Sequence, residues 1–119
     1  MQTIDIDAGL ELSRIDSKFY RILKQFEPFG PQNMSPVFLS RNVYTYGQAS
    51  IVGEKHLRMS VCQKDSPYFN CIGFGLGDCL QTANSGTPFD ICYTIEEKTW
   101  KEKTSIQLNI RGIRPSSTA

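Results

Sequence analysis

The hydrophobic period of this chain changes once, and the change falls at a cluster of prolines. Ile15, Phe19, Ile22, Leu23 and Phe26 recur at i, i+4, i+7, i+8 and i+11, the single apolar stripe of a helix. Arg14, Lys18, Arg21 and Lys24 fall mainly on its polar side, and Ser13 or Asp16 is placed to cap its start. Pro28, Gly30 and Pro31 end it, because proline supplies no N–H and clashes with the preceding turn. A helix with one apolar face needs a partner: the rest of the domain, or a neighbour beyond it.

From Pro36 onward the period is two. A first strand opens at Val37-Phe38-Leu39 and runs to about Tyr46; Tyr44 and Tyr46 share a face with Phe38 and are expected to pack with it. A second, from about Ile51 to Gln63, places Leu57, Met59 and Val61 on one side and His56, Arg58, Ser60 and Cys62 on the other. Lys64-Asp65-Ser66-Pro67 reads as a turn, and a third strand covers Tyr68 to Phe74. Asp78 to Ala83 has room for one or two helical turns. A fourth strand turns Phe89, Ile91, Tyr93 and Ile95 inward, and Glu97 to Lys101 forms a polar hairpin tip. A fifth carries Ile106, Leu108 and Ile110, and Pro115 to Ala119 reads as a tail. The opening stretch, Thr3 to Leu12, alternates and is expected to be extended.

Three meandering strands, a short helix and a final hairpin is the element order of the OB-fold, a five-stranded Greek-key barrel. The sequence therefore predicts a mainly β chain. Residues 1–33 form an N-terminal extension with a linker helix, residues 34–115 the OB-fold domain, and residues 116–119 a tail. At 119 residues this is one domain, able to bury a core without disulfides or metal.

Composition narrows the function. No run of apolar residues is long enough to span a membrane, and the first residues lack the pattern of a signal peptide, so the expected compartment is the cytoplasm. The four cysteines, Cys62, Cys71, Cys79 and Cys92, contain no Cys-x-x-Cys pair and are expected as reduced, mostly buried thiols. His56, the only histidine, has no partner in sequence for nucleophilic chemistry. Glu96 and Glu97 point to opposite sides of a strand, and Asp5 and Asp7 are at most a faint metal pair. Gly73-Phe74-Gly75-Leu76-Gly77 lacks the spacing and the following βαβ helix of a phosphate loop. Nothing here makes a self-sufficient enzyme.

Charge is more informative by segment than in total. The net charge is +1, but residues 28–64 carry four basic and one acidic side chain, as do residues 100–119, while residues 65–99 carry one and five. Arg41, Lys55, His56, Arg58, Tyr68 and Phe69 interleave cations with rings in the first three strands, joined by Tyr44 and Tyr46. Arg111 and its neighbours Lys101 and Lys103 give a second basic stretch. Cations that follow phosphates and rings that stack on bases are how a sheet holds single-stranded nucleic acid.

Phe26-Glu27-Pro28-Phe29-Gly30-Pro31-Gln32-Asn33, followed by Pro36-Val37-Phe38, resembles the Phe-Glu-Pro-Phe-Gly-Pro-x-Asn segment of bacterial RecJ. Gly53-Glu54-Lys55-His56-Leu57-Arg58 is similar to that family's Gly-x-x-His-Leu-Lys, and Ile72-Gly73-Phe74-Gly75 to its Ile-Ala-Phe-Gly. Phe89 to Glu97, Trp100, Ser105 to Leu108 and Ile113-Arg114-Pro115 resemble its last hairpin. The resemblance implies the C-terminal OB-type domain of a 5′-to-3′ exonuclease specific for single-stranded DNA, in the service of repair and recombination. The family's Asp-His-His core and Gly-Gly-His motif are absent, so no catalytic residue is carried over. The resemblance places Mg²⁺ or Mn²⁺ in that missing core and no cofactor in this segment. It makes Met1 an artificial start. The implied partners are single-stranded DNA, the remainder of the parent exonuclease, and replication or repair proteins, with no membrane. A protein-docking or bracing module of the same parent is the competing expectation.

Overall fold

A computed structural model of the chain describes residues 6–25 and 36–116. Asp5, Phe26, the Pro28–Pro31 cluster and the last three residues of the expected tail lie outside the described residues. The elements are β1 (Ala8–Gly9), α1 (Ser17–Lys24), β2 (Phe38–Thr45), β3 (Ser50–Val52), β4 (His56–Cys62), β5 (Phe69–Gly73), α2 (Leu80–Ala83), β6 (Phe89–Trp100) and β7 (Lys103–Pro115). The chain is mainly β.

Asp16 caps α1: its carboxylate accepts the Phe19 N–H at 2.8 Å, while Ser13 belongs to a 3-10 turn over Leu12–Arg14. The apolar stripe is only partly used. Ile15 is buried just before the helix, Phe19 meets Phe38 edge-on with centroids 6.0 Å apart, and Leu23 packs at the core margin. Ile22 stays 47% exposed.

The strands form one seven-stranded sheet in the order β1-β2-β6-β7-β5-β4-β3, and β2 also pairs with β4. The circuit β2–β4–β5–β7–β6 therefore returns to β2. All its pairings are antiparallel except β5 with β7.

Five strands were expected and seven are present. One addition is β1, which runs parallel to β2 with Ala8 opposite Phe38. Asp7 anchors it: its N–H donates to the Val37 carbonyl, and its carboxylate accepts the Val37 N–H, each at 2.8 Å. The other arises because the expected second strand is two. Gly53 and Glu54 adopt φ of 58° and 72°, turning the chain so that Ile51 lies opposite Leu57. The final hairpin is longer than expected, its turn lying at Lys101 and Glu102 (φ 48° and 68°) rather than over Glu97–Lys101. Solvated polar strands carry no apolar period to mark their extent.

The core holds the expected inward residues of every strand: Leu57, Met59 and Val61 of β4, Phe89, Ile91, Tyr93 and Ile95 of β6, and Leu108 and Ile110 of β7. α2 packs at its edge, where Ala83 is buried and its carbonyl accepts the Thr45 hydroxyl at 2.6 Å. Asn84 binds both the N–H and the carbonyl of Ala49.

Two buried polar clusters tie distant segments together. The Ser40 hydroxyl donates to the Leu10 carbonyl at 2.6 Å and lies 2.8 Å from the Tyr93 hydroxyl. Burial pushes that phenol up to about 12, so it stays protonated and donates to Ser40. Asp90, 4% exposed, accepts hydrogen bonds from the Asn42 N–H, Arg114 Nε and the Ser116 hydroxyl. No helix among the described residues is long and apolar enough to cross a membrane.

Candidate nucleic-acid interface

Pleating decides which side chains of β4 and β5 reach solvent. With Leu57, Met59 and Val61 inside, Arg58 must point out, between Ser50 of β3 and Ile72 of β5. Arg58 is exposed. One step along, the Ser60 hydroxyl bonds the Asn70 side chain at 2.9 Å. The Ser60 carbonyl accepts the Tyr46 N–H at 2.7 Å, which brings Tyr46 beside β4. Its ring stacks on Tyr68, which immediately precedes β5, with centroids 4.8 Å apart and planes 4° from parallel. Both rings are more than half exposed.

At the other end of β4, His56 Nδ1 accepts the Gly75 N–H at 2.9 Å, and its ring meets Phe74 edge-on. That hydrogen bond requires the proton on Nε2, leaving one donor to face a ligand. Phe74 is 62% exposed. Lys55 is exposed in the β3–β4 turn, which its carbonyl ties to the Gly77 N–H at 2.9 Å. The result is a strip of Tyr46, Tyr68, Arg58, Lys55, His56 and Phe74 on one side of the β4–β5 ribbon.

Three expected residues lie elsewhere. Phe69 is 8% exposed and belongs to the core, since one step along the pleat from Tyr68 reverses the side-chain direction. Arg41 lies where the β2 register shifts, between Ser40 and Val43. It lines an open cleft of about 740 Å³ with Lys64, but also with Glu11 and Asp65. Arg111 is exposed at the bulge of β7, where Gly112 lies opposite Cys92 and Ile110 opposite Tyr93.

Tyr44 and Tyr46 were expected to pack with Phe38, and neither does. Asn42, with φ of 56°, lies in the β2 bulge and shifts the pleat by one residue. Val43 goes inside, and Tyr44 and Tyr46 turn out. The sequence signal for this was Asn42, a residue type that tolerates left-handed backbone.

Hydrolytic machinery is not assembled here. Among the described residues, no group of three or more His, Cys, Asp or Glu could hold a metal. The most buried carboxylate, Asp90, is already taken by three donors, so the residues present do not fit a divalent ion. The four cysteines are free. Burial pushes the thiols of Cys71, Cys79 and Cys92 up, with Asp78 adding to the effect at Cys79, which disfavours nucleophilic thiolate.

Residues 6–112 match the family model of the RecJ OB domain. No curated protein sequence matches the chain. Two solved structures share its fold. RecJ from Thermus thermophilus in complex with Mn²⁺ is 17% identical with a TM-score of 0.64, over 97% of this chain and 16% of that one. RecJ of the same organism with Mg²⁺ is 20% identical with a TM-score of 0.61, over 85% of this chain and 15% of that one. The chain thus corresponds to a small part of those proteins, the part that carries this sheet. By its match over residues 6–112, it belongs to the RecJ OB-domain family.

Proposed function

We propose that this chain is the single-stranded-DNA-binding OB domain of a RecJ-like 5′-to-3′ exonuclease, gripping the strand for a metal-dependent catalytic core that lies outside it. The five-strand circuit is read as the Greek-key barrel of the OB-fold, whose usual ligand face includes the second and third strands, here β4 and β5. The observation that carries the proposal is the strip on that face. A stacked tyrosine pair, an outward Arg58 and the exposed Lys55 and Phe74 lie in series where rings can stack on bases and cations can follow phosphates. His56 contributes its Nε2 donor. Arg41 and Arg111 are peripheral cations on this reading, and Phe69 contributes only packing.

The exposed Ile22 of α1 favours a second role beside the first. The free part of that stripe suits contact with the remainder of the parent exonuclease. Titration of a labelled oligodeoxythymidine by anisotropy, at several salt concentrations, separates the two. A phosphate-based grip loses affinity steeply with salt, and an apolar docking surface does not. Absence of binding at low salt would defeat the single-strand reading and leave the docking role.

A further inference from the structure

Beyond Tyr93 on β6 and Gln107 on β7, toward the hairpin turn, neither strand pairs with anything but the other. The last residue pairs, Glu97 with Ile106 through Trp100 with Lys103, form a free two-stranded ribbon, projecting about 13 Å at the usual rise per residue. Such a ribbon is marginal by itself. Here its turn is held by two non-glycine residues in left-handed backbone, Lys101 and Glu102, with the Thr99 and Thr104 hydroxyls bonded across it. At its tip Trp100 is 74% exposed, the most exposed large hydrophobic side chain among the described residues.

Pleating sorts the charges of this ribbon. Glu96, Lys98 and Trp100 share one face of β6, opposite Gln107, Ser105 and Lys103 of β7. Gln107 in turn lies opposite Asn70, and Asn70 opposite Ser60, so this is the face that carries the tyrosine stack and Arg58. Glu97 and Thr99 fall on the reverse face. Lys98 and Lys103 therefore flank Trp100 on the strip's side, and Lys101 Nζ lies 5.6 Å from the indole centroid. Glu96 is the acidic member of this face, and its contact with Lys98 is a loose 3.9 Å pair between exposed groups, easily exchanged for a phosphate. Because β5 and β7 run parallel, Tyr68 and the hairpin tip lie toward the same end of the sheet.

We infer that the β6–β7 hairpin is a second single-strand contact, in which Trp100 stacks on a base while Lys98 and Lys103 hold the adjoining phosphates. This rests on the single-strand reading of the β4–β5 strip and extends it. The strand leaves the tyrosine pair and crosses toward the hairpin, a gap on the order of 10–15 Å from strand spacing and rise. One stacked base step, about 3.4 Å, cannot bridge that gap.

Trp100 is the single tryptophan of the chain, so its fluorescence reports this contact alone. Oligodeoxythymidine carrying a remote label is titrated into the 119-residue chain, with anisotropy and tryptophan emission read together. The expected result is quenching that tracks the anisotropy curve, about tenfold weaker binding for Trp100→Ala, and near-normal binding for Trp100→Phe. Lys98→Ala with Lys103→Ala is expected to lower the salt slope by about two units. An abasic strand of equal length is expected to bind more weakly and leave the emission unchanged. Normal anisotropy with unchanged emission, and full affinity in Trp100→Ala, would overturn the hairpin contact while sparing the strip. Loss of all binding in the wild-type chain would overturn both.

Discussion

Tyr46 and Tyr68 come from different connections of the sheet, yet their rings lie 4.8 Å apart and nearly parallel in solvent. Each holds the other in place, so a base meets a platform with little rotamer freedom left to lose. Tyr68→Ala is expected to weaken oligodeoxythymidine binding by about five- to tenfold. Adding Tyr46→Ala should cost less than its single effect, because the rings act as one unit. Anisotropy on the two single variants and the double variant checks this; additive losses would mean two separate contacts.

The next residue along should behave in the opposite way. Phe69 is in the core, so Phe69→Ala is expected to lower stability by about 3–5 kcal/mol, read from urea unfolding. The fraction that remains folded should bind DNA with ordinary affinity. Adjacent residues with opposite phenotypes would establish the pleat phase of β5 in solution.

Arg58 is expected to contribute charge without fold. Arg58→Ala should weaken single-strand binding by about 1 kcal/mol or more and flatten the salt slope by about one unit, with the thermal midpoint unchanged. Arg58→Lys should restore the slope and only part of the affinity, since lysine keeps the charge but not the planar fork. An unaltered slope in Arg58→Ala would move the phosphate contact off β4.

Asp90 links stability to pH. Burial by itself raises its pKa, but the Ser116 hydroxyl, the Asn42 N–H and Arg114 outweigh that and hold it below its ordinary 3.8. Its stabilising effect is therefore complete above 3.8, where the unfolded carboxyl is also ionised. It is lost as pH falls through the lower folded value. Unfolding curves for Asp90→Asn should show less acid sensitivity in that range. Asp90→Ala, which strands three donors, should cost about 2–4 kcal/mol at neutral pH.

Glu102 has φ of 68° in the hairpin turn, a conformation glycine adopts without cost. Glu102→Gly is expected to leave overall stability unchanged or raised by up to about 1 kcal/mol. It should also increase amide protection of Thr99 and Thr104 in hydrogen exchange. Lower protection would mean that the glutamate side chain, rather than the backbone, holds the turn.

The inward rows of β4, β6 and β7 were legible because burial imposes a strict period of two. Arg58 followed directly, as the residue between two core positions. Tyr46 was misplaced for the same reason: a bulge at Asn42 breaks the period, and one-residue shifts leave no trace in an alternating pattern. The split at Gly53–Lys55 was hidden because Ile51 and Val52 prolong the apolar run up to a turn that needs only one glycine. Pairing of distant segments, such as Asp90 with Ser116 or Asp7 with Val37, depends on closure in three dimensions and has no local signature.

The parallel neighbour of β5 is β7, and β7 is the last of these strands to be synthesised. Until residues 107–109 leave the ribosome, the free edge of β5 has no partner and the ring stays open. Its sheet pairings up to β6 can form earlier, but the core residues Leu108 and Ile110 arrive only with the closing strand. The nascent chain therefore carries an unpaired strand edge until β7 emerges, the kind of edge that recruits other chains. Slowed elongation through this stretch should raise aggregation more than an equal pause in α1.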